Sequence, residues 1–123
     1  MDELIARIVA NVGVDKSVAE KAVGVILDFL SKEGPADKVK PMIDRLPGAE
    51  SALQAARDEP GSGGMMSSMG GIMGVGSRLM GMGLGMGQIQ SITREVIAYA
   101  REQVGEDAVG EILAAIPGLS QFV

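Results

Sequence analysis

Along most of the chain, apolar residues recur three and four positions apart, which is the spacing of amphipathic helices. In "MDELIARIVANVGVD", Leu4, Ile5, Ile8, Val9 and Val12 share one face, so residues 2–12 read as a first helix. Gly13 suits a helix end, and Asp15 or Ser17 can cap the next helix. Ser17 and Glu20 have the S-x-x-E spacing of a capping box. Residues 17–33 carry the strongest pattern, a stripe of Val18, Ala22, Val25, Ile26, Phe29 and Leu30. Gly34 stops it, and Pro35 suits the first position of a third helix. Ala36, Val39, Met42, Ile43 and Leu46 continue the stripe until Pro47 and Gly48. "AESALQAARD" at 49–58 predicts a short further helix. Past a glycine-rich interval, Ile89, Ile92, Val96, Tyr99 and Ala100 mark another. Gly105 caps the last, whose Ala108, Val109, Ile112, Leu113 and Ile116 face inward before Pro117 and Gly118. The expectation is an all-α fold, a single compact bundle of about six helices, with residues 1–123 forming one domain.

Sliding residues 19–53 onto 89–123 without a gap predicts an internal repeat. Asp37 meets Asp107, Val39 meets Val109, Pro47 meets Pro117 and Gly48 meets Gly118. Ile26, Leu27, Met42, Ile43 and Leu46 fall on Val96, Ile97, Ile112, Leu113 and Ile116. Phe29 falls on Tyr99. Any two amphipathic helix pairs align in some register, but the shared Pro-Gly stop and the shared aromatic favour duplication. On this reading residues 1–58 are the first repeat and 88–123 carry the helices of the second. Helix 2–12 then has its counterpart at 72–82, and the loop "NVGVDKS" corresponds to "GMGLGMG". Neither half would bury its stripe without the other.

Between the repeats the composition changes. Residues 61–88 hold eleven of the eighteen glycines and seven of the nine methionines, and Arg78 is their only charge. A flexible linker would be poor in large apolar groups. A membrane span is opposed by Arg78, at a cost of about 2.5–3.5 kcal/mol, and by glycines that add no apolar area. Thioethers bind Cu(I), but the Cys and His that strengthen such sites are absent. Phosphate loops need a strand before and a helix after, and no strand is readable. Adaptable packing or an interface suits the composition best: Met fills irregular gaps and tolerates re-packing against a partner. The pattern predicts a weak helix near 70–80, then an extended "GMGLGMG" in which Met82, Leu84 and Met86 point one way. Met73, Leu79, Met80, Met82, Leu84 and Met86 are the candidate interface or apolar pocket.

Charge and composition narrow the function classes. Eleven basic residues are scattered among sixteen acidic ones, for a net charge of −5, which argues against nucleic acid. With no His and no Cys, the commonest base, nucleophile and metal ligands are missing, so no enzyme activity, cofactor or metal is expected. The carboxylate pairs Glu102 with Glu106 and Asp107 with Glu111 read as a solvated helix face. The acidic start lacks the basic region of a secretory signal, so cytoplasm is the expected location. The expected function is a non-enzymatic interaction or assembly module, with a protein partner or self-association. The alternative is a binder of an apolar ligand or membrane surface through the Gly/Met segment.

The elements "GVDKSVAEKAVGVILDFL", "LPGAESAL", the Gly-rich middle and "LGMGQIQSITREVIAYAREQVGEDAVGEILAAI" resemble a group of small bacterial proteins known only as domains of unknown function, the VcgC/VcgE-like group. The resemblance implies an all-helical fold and carries no activity, cofactor or catalytic residue. The second copy departs from the family's helix start, with Gly85 and Gly87 where an Asp or Ser cap is expected.

Overall fold

A computed structural model describes residues 2–46, 48–58 and 72–116. They form seven helices: α1 (Asp2–Val12), α2 (Lys16–Glu33), α3 (Ala36–Arg45), α4 (Ala49–Asp58), α5 (Ile72–Gly81), α6 (Met86–Val104) and α7 (Glu106–Ala115). Among the described residues there is no strand. The all-α expectation holds.

The centre is α2. Every residue from Ala22 to Leu30 is buried, Gly24 and Asp28 included. A helix apolar on all sides has to be surrounded, and α1, α3, α4, α5 and α6 all pack on α2. The most extensive packing is that of α4, which buries the small Ala49 and Ala52 together with Leu53. α1 leans chiefly on α6, burying Leu4, Ile5 and Ile8, whereas α5 packs on α2 and α6. α3 packs on α7, where Lys38 Nζ lies 2.9 Å from a Glu111 carboxylate oxygen. All seven helices feed one apolar cluster.

The turns explain the boundaries. Gly13 has φ +82°, a backbone state that side chains disfavour, and its N–H donates to the Val9 carbonyl at 3.1 Å. Gly13 thus ends α1 as expected. The capping box does not form. Asp15 is the N-cap of α2, without a side-chain cap bond, and Ser17 is already inside the helix. Pro35 is the N-cap of α3 and not its first residue, and its carbonyl accepts the Val39 N–H at 2.9 Å. At Gly34 a Cβ would stand 2.7 Å from the Leu30 carbonyl oxygen and 2.9 Å from Val39 Cγ2. There the absence of a side chain lets α3 fold back against α2.

The boundaries recur along the chain. α5, α6 and α7 start at residues 72, 86 and 106, seventy residues after the starts of α1, α2 and α3 at 2, 16 and 36. α3 ends at Arg45 and α7 at Ala115. The next residues, Leu46 and Ile116, both donate their N–H to the carbonyl three residues back, at 3.1 and 3.3 Å. Gly83, with φ +91°, follows Gly13 at the same interval.

Candidate functional site

Residues 59–71 lie outside the described residues, so the structure bears on the Gly/Met segment from Ile72 onward. The weak helix is present as α5. The extended stretch after it is not. Gly83 turns the chain, the Leu79 carbonyl accepts the N–H of Met82 at 3.0 Å and of Leu84 at 3.4 Å, and the Met80 carbonyl accepts that of Gly83 at 2.9 Å. The closure satisfies carbonyls that the end of α5 would otherwise leave unpaired. Gly85 then caps α6, where its N–H donates to Gln88 Oε1 at 2.9 Å. A reach-back from the third helical residue replaces the missing Asp or Ser cap.

This turn separates the six candidate residues. Leu79 and Leu84 enter the core, at 0% and 5% exposure. Met82 lies half-buried against it. Met80 and Met86 are 50% and 49% exposed. The Met73 side chain lies outside the described residues. Met82, Leu84 and Met86 therefore do not point one way, because a left-handed glycine breaks the alternation that an extended chain would impose. Among the described residues, close backbone approach does not explain the nearby glycines: where a Cβ would stand at Gly76, Gly81 or Gly87, no described atom lies within 4 Å.

Arg78, the segment's only charge, is aimed inward. Its guanidinium lies 3.5 Å from Asp28 Oδ2, and Lys32 Nζ is 3.1 Å from the same oxygen. The Asp28 side chain is 3% exposed, so its charge is held by these cations at the junction of α2 and α5. Sequence reasoning missed this anchor, although an Asp inside the apolar run "VGVILDFL" was the available signal. A buried carboxylate is rare without a partner.

A groove of about 420 Å³ opens where α3 and α4 meet the end of α2. Among the described residues, Val39, Ile43 and Leu53 line it with apolar surface and Lys40, Asp44 and Glu50 with charge. Nothing in the helical stripe distinguished these positions, because a groove depends on how two helices diverge, and a repeating apolar pattern does not encode that.

A charged seam also joins α1 to α6. Arg7 makes two hydrogen bonds to the Glu102 carboxylate, the longer at 3.1 Å, and a third to Glu3 at 3.0 Å. Its guanidinium carbon stands 5.8 Å from the centre of the Tyr99 ring. Hydrogen bonding from Arg7 holds the Glu102 carboxyl below the ordinary carboxylate range. A hydrogen bond to Glu111 raises the Lys38 ammonium above its ordinary value. One member of each carboxylate pair noted in the sequence is thus engaged by a cation on another helix. Among the described residues no group of three or more carboxylates converges as a metal site would. No described helix is long and apolar enough to cross a membrane.

Compared with known protein families, with curated proteins and with solved structures, the chain matches none.

Proposed function

We propose that the protein is a non-enzymatic assembly module that self-associates through the corner where α5 turns into α6. The observation that carries this reading is the exposure of Met80 and Met86, the two most exposed large apolar side chains among the described residues. Between Arg78 and Arg94 the chain has no charge, and glycines at 81, 83, 85 and 87 present no side chain around the thioethers. An uncharged patch of flexible, polarisable side chains suits a contact that re-packs against an apolar partner surface. Leu79 and Leu84 hold the corner rigidly from beneath. The matching helix boundaries at an interval of seventy residues support a further element of the reading, one helical unit written twice.

The test combines sedimentation over a concentration series with NMR of methyl-labelled methionine. The expected result is a mass that rises with concentration, together with shifts of the Met80 and Met86 methyls. M80E/M86E should stay at lower mass with an unchanged melting temperature, since both sites are solvent-facing. A monomer whose Met80 and Met86 methyls respond to phosphatidylcholine vesicles would overturn self-association in favour of lipid-surface binding. A monomer whose methyls respond to neither would overturn both.

A further inference from the structure

Two helices of this chain occupy like seats. α1 packs more on α6 than on its neighbour α2, and α5 packs more on α2 than on its neighbour α6. α2 also meets α6, and α3 meets α7. Shifting each half by the seventy-residue interval turns the α1–α6 contact into the α5–α2 contact and leaves the other two unchanged. α3 packs on α6 too, a contact outside this pairing. Burial follows the same interval. Val39, Met42 and Leu46 are buried, and so are Val109, Ile112 and Ile116; Phe29 of α2 and Tyr99 of α6 are buried alike.

Like seats create a problem of specificity. α1 of a second copy, with Leu4, Ile5 and Ile8, has the apolar side chains to compete for the seat that α5 holds with Val75 and Leu79. Exchange of similar elements between copies is a low-cost route to dimers. The charges of the two seats differ, however. On α6, Glu102 binds Arg7, and Glu95 accepts from Asn11 Nδ2 at 3.2 Å. On α2, the buried Asp28 meets Arg78 of α5 and Lys32 of its own helix. Seventy residues before Glu102 stands Lys32, and seventy before Arg78 stands Ile8. An α1 helix seated on α2 would therefore set Arg7 against Lys32 and Ile8 over Asp28. The first contact pairs like charges, and the second takes from the buried carboxylate its arginine. Both oppose the wrong pairing.

We propose that Asp28, Lys32 and Arg78 sort the two helices: they admit α5 and reject α1 of a second copy, so that the chain does not exchange its first helix between molecules. The inference rests on the likeness of the two halves proposed above and not on the methionine corner. A buried ion pair adds little net stability over apolar residues of the same size, and its best-attested role is selection among competing pairings. Such selection gives a reason for a carboxylate at 3% exposure inside the central helix of the fold.

The test gives the seat of α5 the chemistry of the seat of α1, in the full chain. D28A/K32E/R78I copies to these positions the residue types of Ala98, Glu102 and Ile8, seventy residues away. It is made in the M80E/M86E background, which removes association through the corner, and circular dichroism checks its helix content. Isotope-labelled and unlabelled chains are unfolded together, refolded and read by isotope-filtered NOEs from the Ile5 and Ile8 methyls. With Asp28, Lys32 and Arg78 in place, these NOEs should stay within one molecule. In the triple variant, NOEs to α2 of another chain should appear, the exchanged population rising roughly tenfold for each ~1.4 kcal/mol of selection lost. D28N/R78M, closer in shape to the native pair, takes its place if the triple variant loses helix, with the same NOEs expected. The proposal is overturned if the folded variant shows no exchange, or if the chain with all three residues in place already exchanges. Val39→Ala and Val109→Ala probe the likeness of the halves separately, since they truncate one residue type at matched buried positions. Equal shifts of the urea midpoint without exchange would overturn the sorting role alone. Clearly unequal shifts would overturn the likeness of the halves and the sorting with it.

Discussion

Leu79→Ala tests whether the Gly/Met segment is part of the fold. α5 is a poor helix on its own, because Gly74 and Gly76 inside it each cost roughly 0.5–1 kcal/mol relative to Ala. What holds it is burial of Val75 and Leu79 and the Arg78–Asp28 pair. Leu79 is fully buried. Its truncation removes three carbons, about 2.4 kcal/mol at 0.8 kcal/mol per methylene. Incomplete collapse of the site adds a cavity term, for a total of about 3–4 kcal/mol, within the range of buried Leu→Ala changes. A domain of this size has only 5–15 kcal/mol in all, and the melting temperature should fall by roughly 10–15 °C. Met80→Ala, one position along on the exposed side, should shift stability by less than about 1 kcal/mol. Urea unfolding followed by circular dichroism at 222 nm measures both. If Leu79→Ala costs no more than Met80→Ala, α5 is not docked as described and the core loses its middle contribution.

Other outcomes follow from single sites. Arg78→Met removes a cation from the buried Asp28 carboxylate and should cost about 1–3 kcal/mol. Asp28→Asn in the same background should cost less than it does alone, a coupling that a double-mutant cycle in urea reads directly. Gly76→Ala meets open space at a helix-interior position and should stabilise by about 0.5–1 kcal/mol; a loss would mean that the glycine is needed for packing. The Glu102 carboxyl is held below its ordinary value in the folded state, so its contribution is complete above the unfolded value near 4.3 and is lost as pH falls through the folded one. The stability gap between the unsubstituted chain and Glu102→Gln should therefore be flat above about pH 5 and narrow below about pH 4. A gap that does not narrow in acid would show that Arg7 is not what depresses Glu102.

How far the sequence led depends on which physics each feature obeys. Long amphipathic runs were readable, because Leu4, Ile8, Ile26, Val39, Ile92 and Ile112 repeat with helical spacing and all are buried. The centrality of α2 was half visible. Its stripe occupies one face, yet Val23, Leu27 and Asp28 on other faces are buried too, because five helices pack on α2. The methionines were misdirected by one backbone angle. Periodicity reasoning took "GMGLGMG" as extended, whereas Gly83 at positive φ reverses the chain and sends Leu84 inward and Met86 outward. The capping box failed for a related reason: Asp15 took the cap position two residues before Ser17. The groove was out of reach, since it exists only once the helices that line it have been placed.

The pairing of α1 with α6 has a consequence for biosynthesis. α1 must wait for residues 86–104 to leave the ribosome before its chief neighbour exists, a delay of roughly 5–20 s at ordinary elongation rates. Until then the oily side of α1 lacks its main cover, and α2 is the chief neighbour already made.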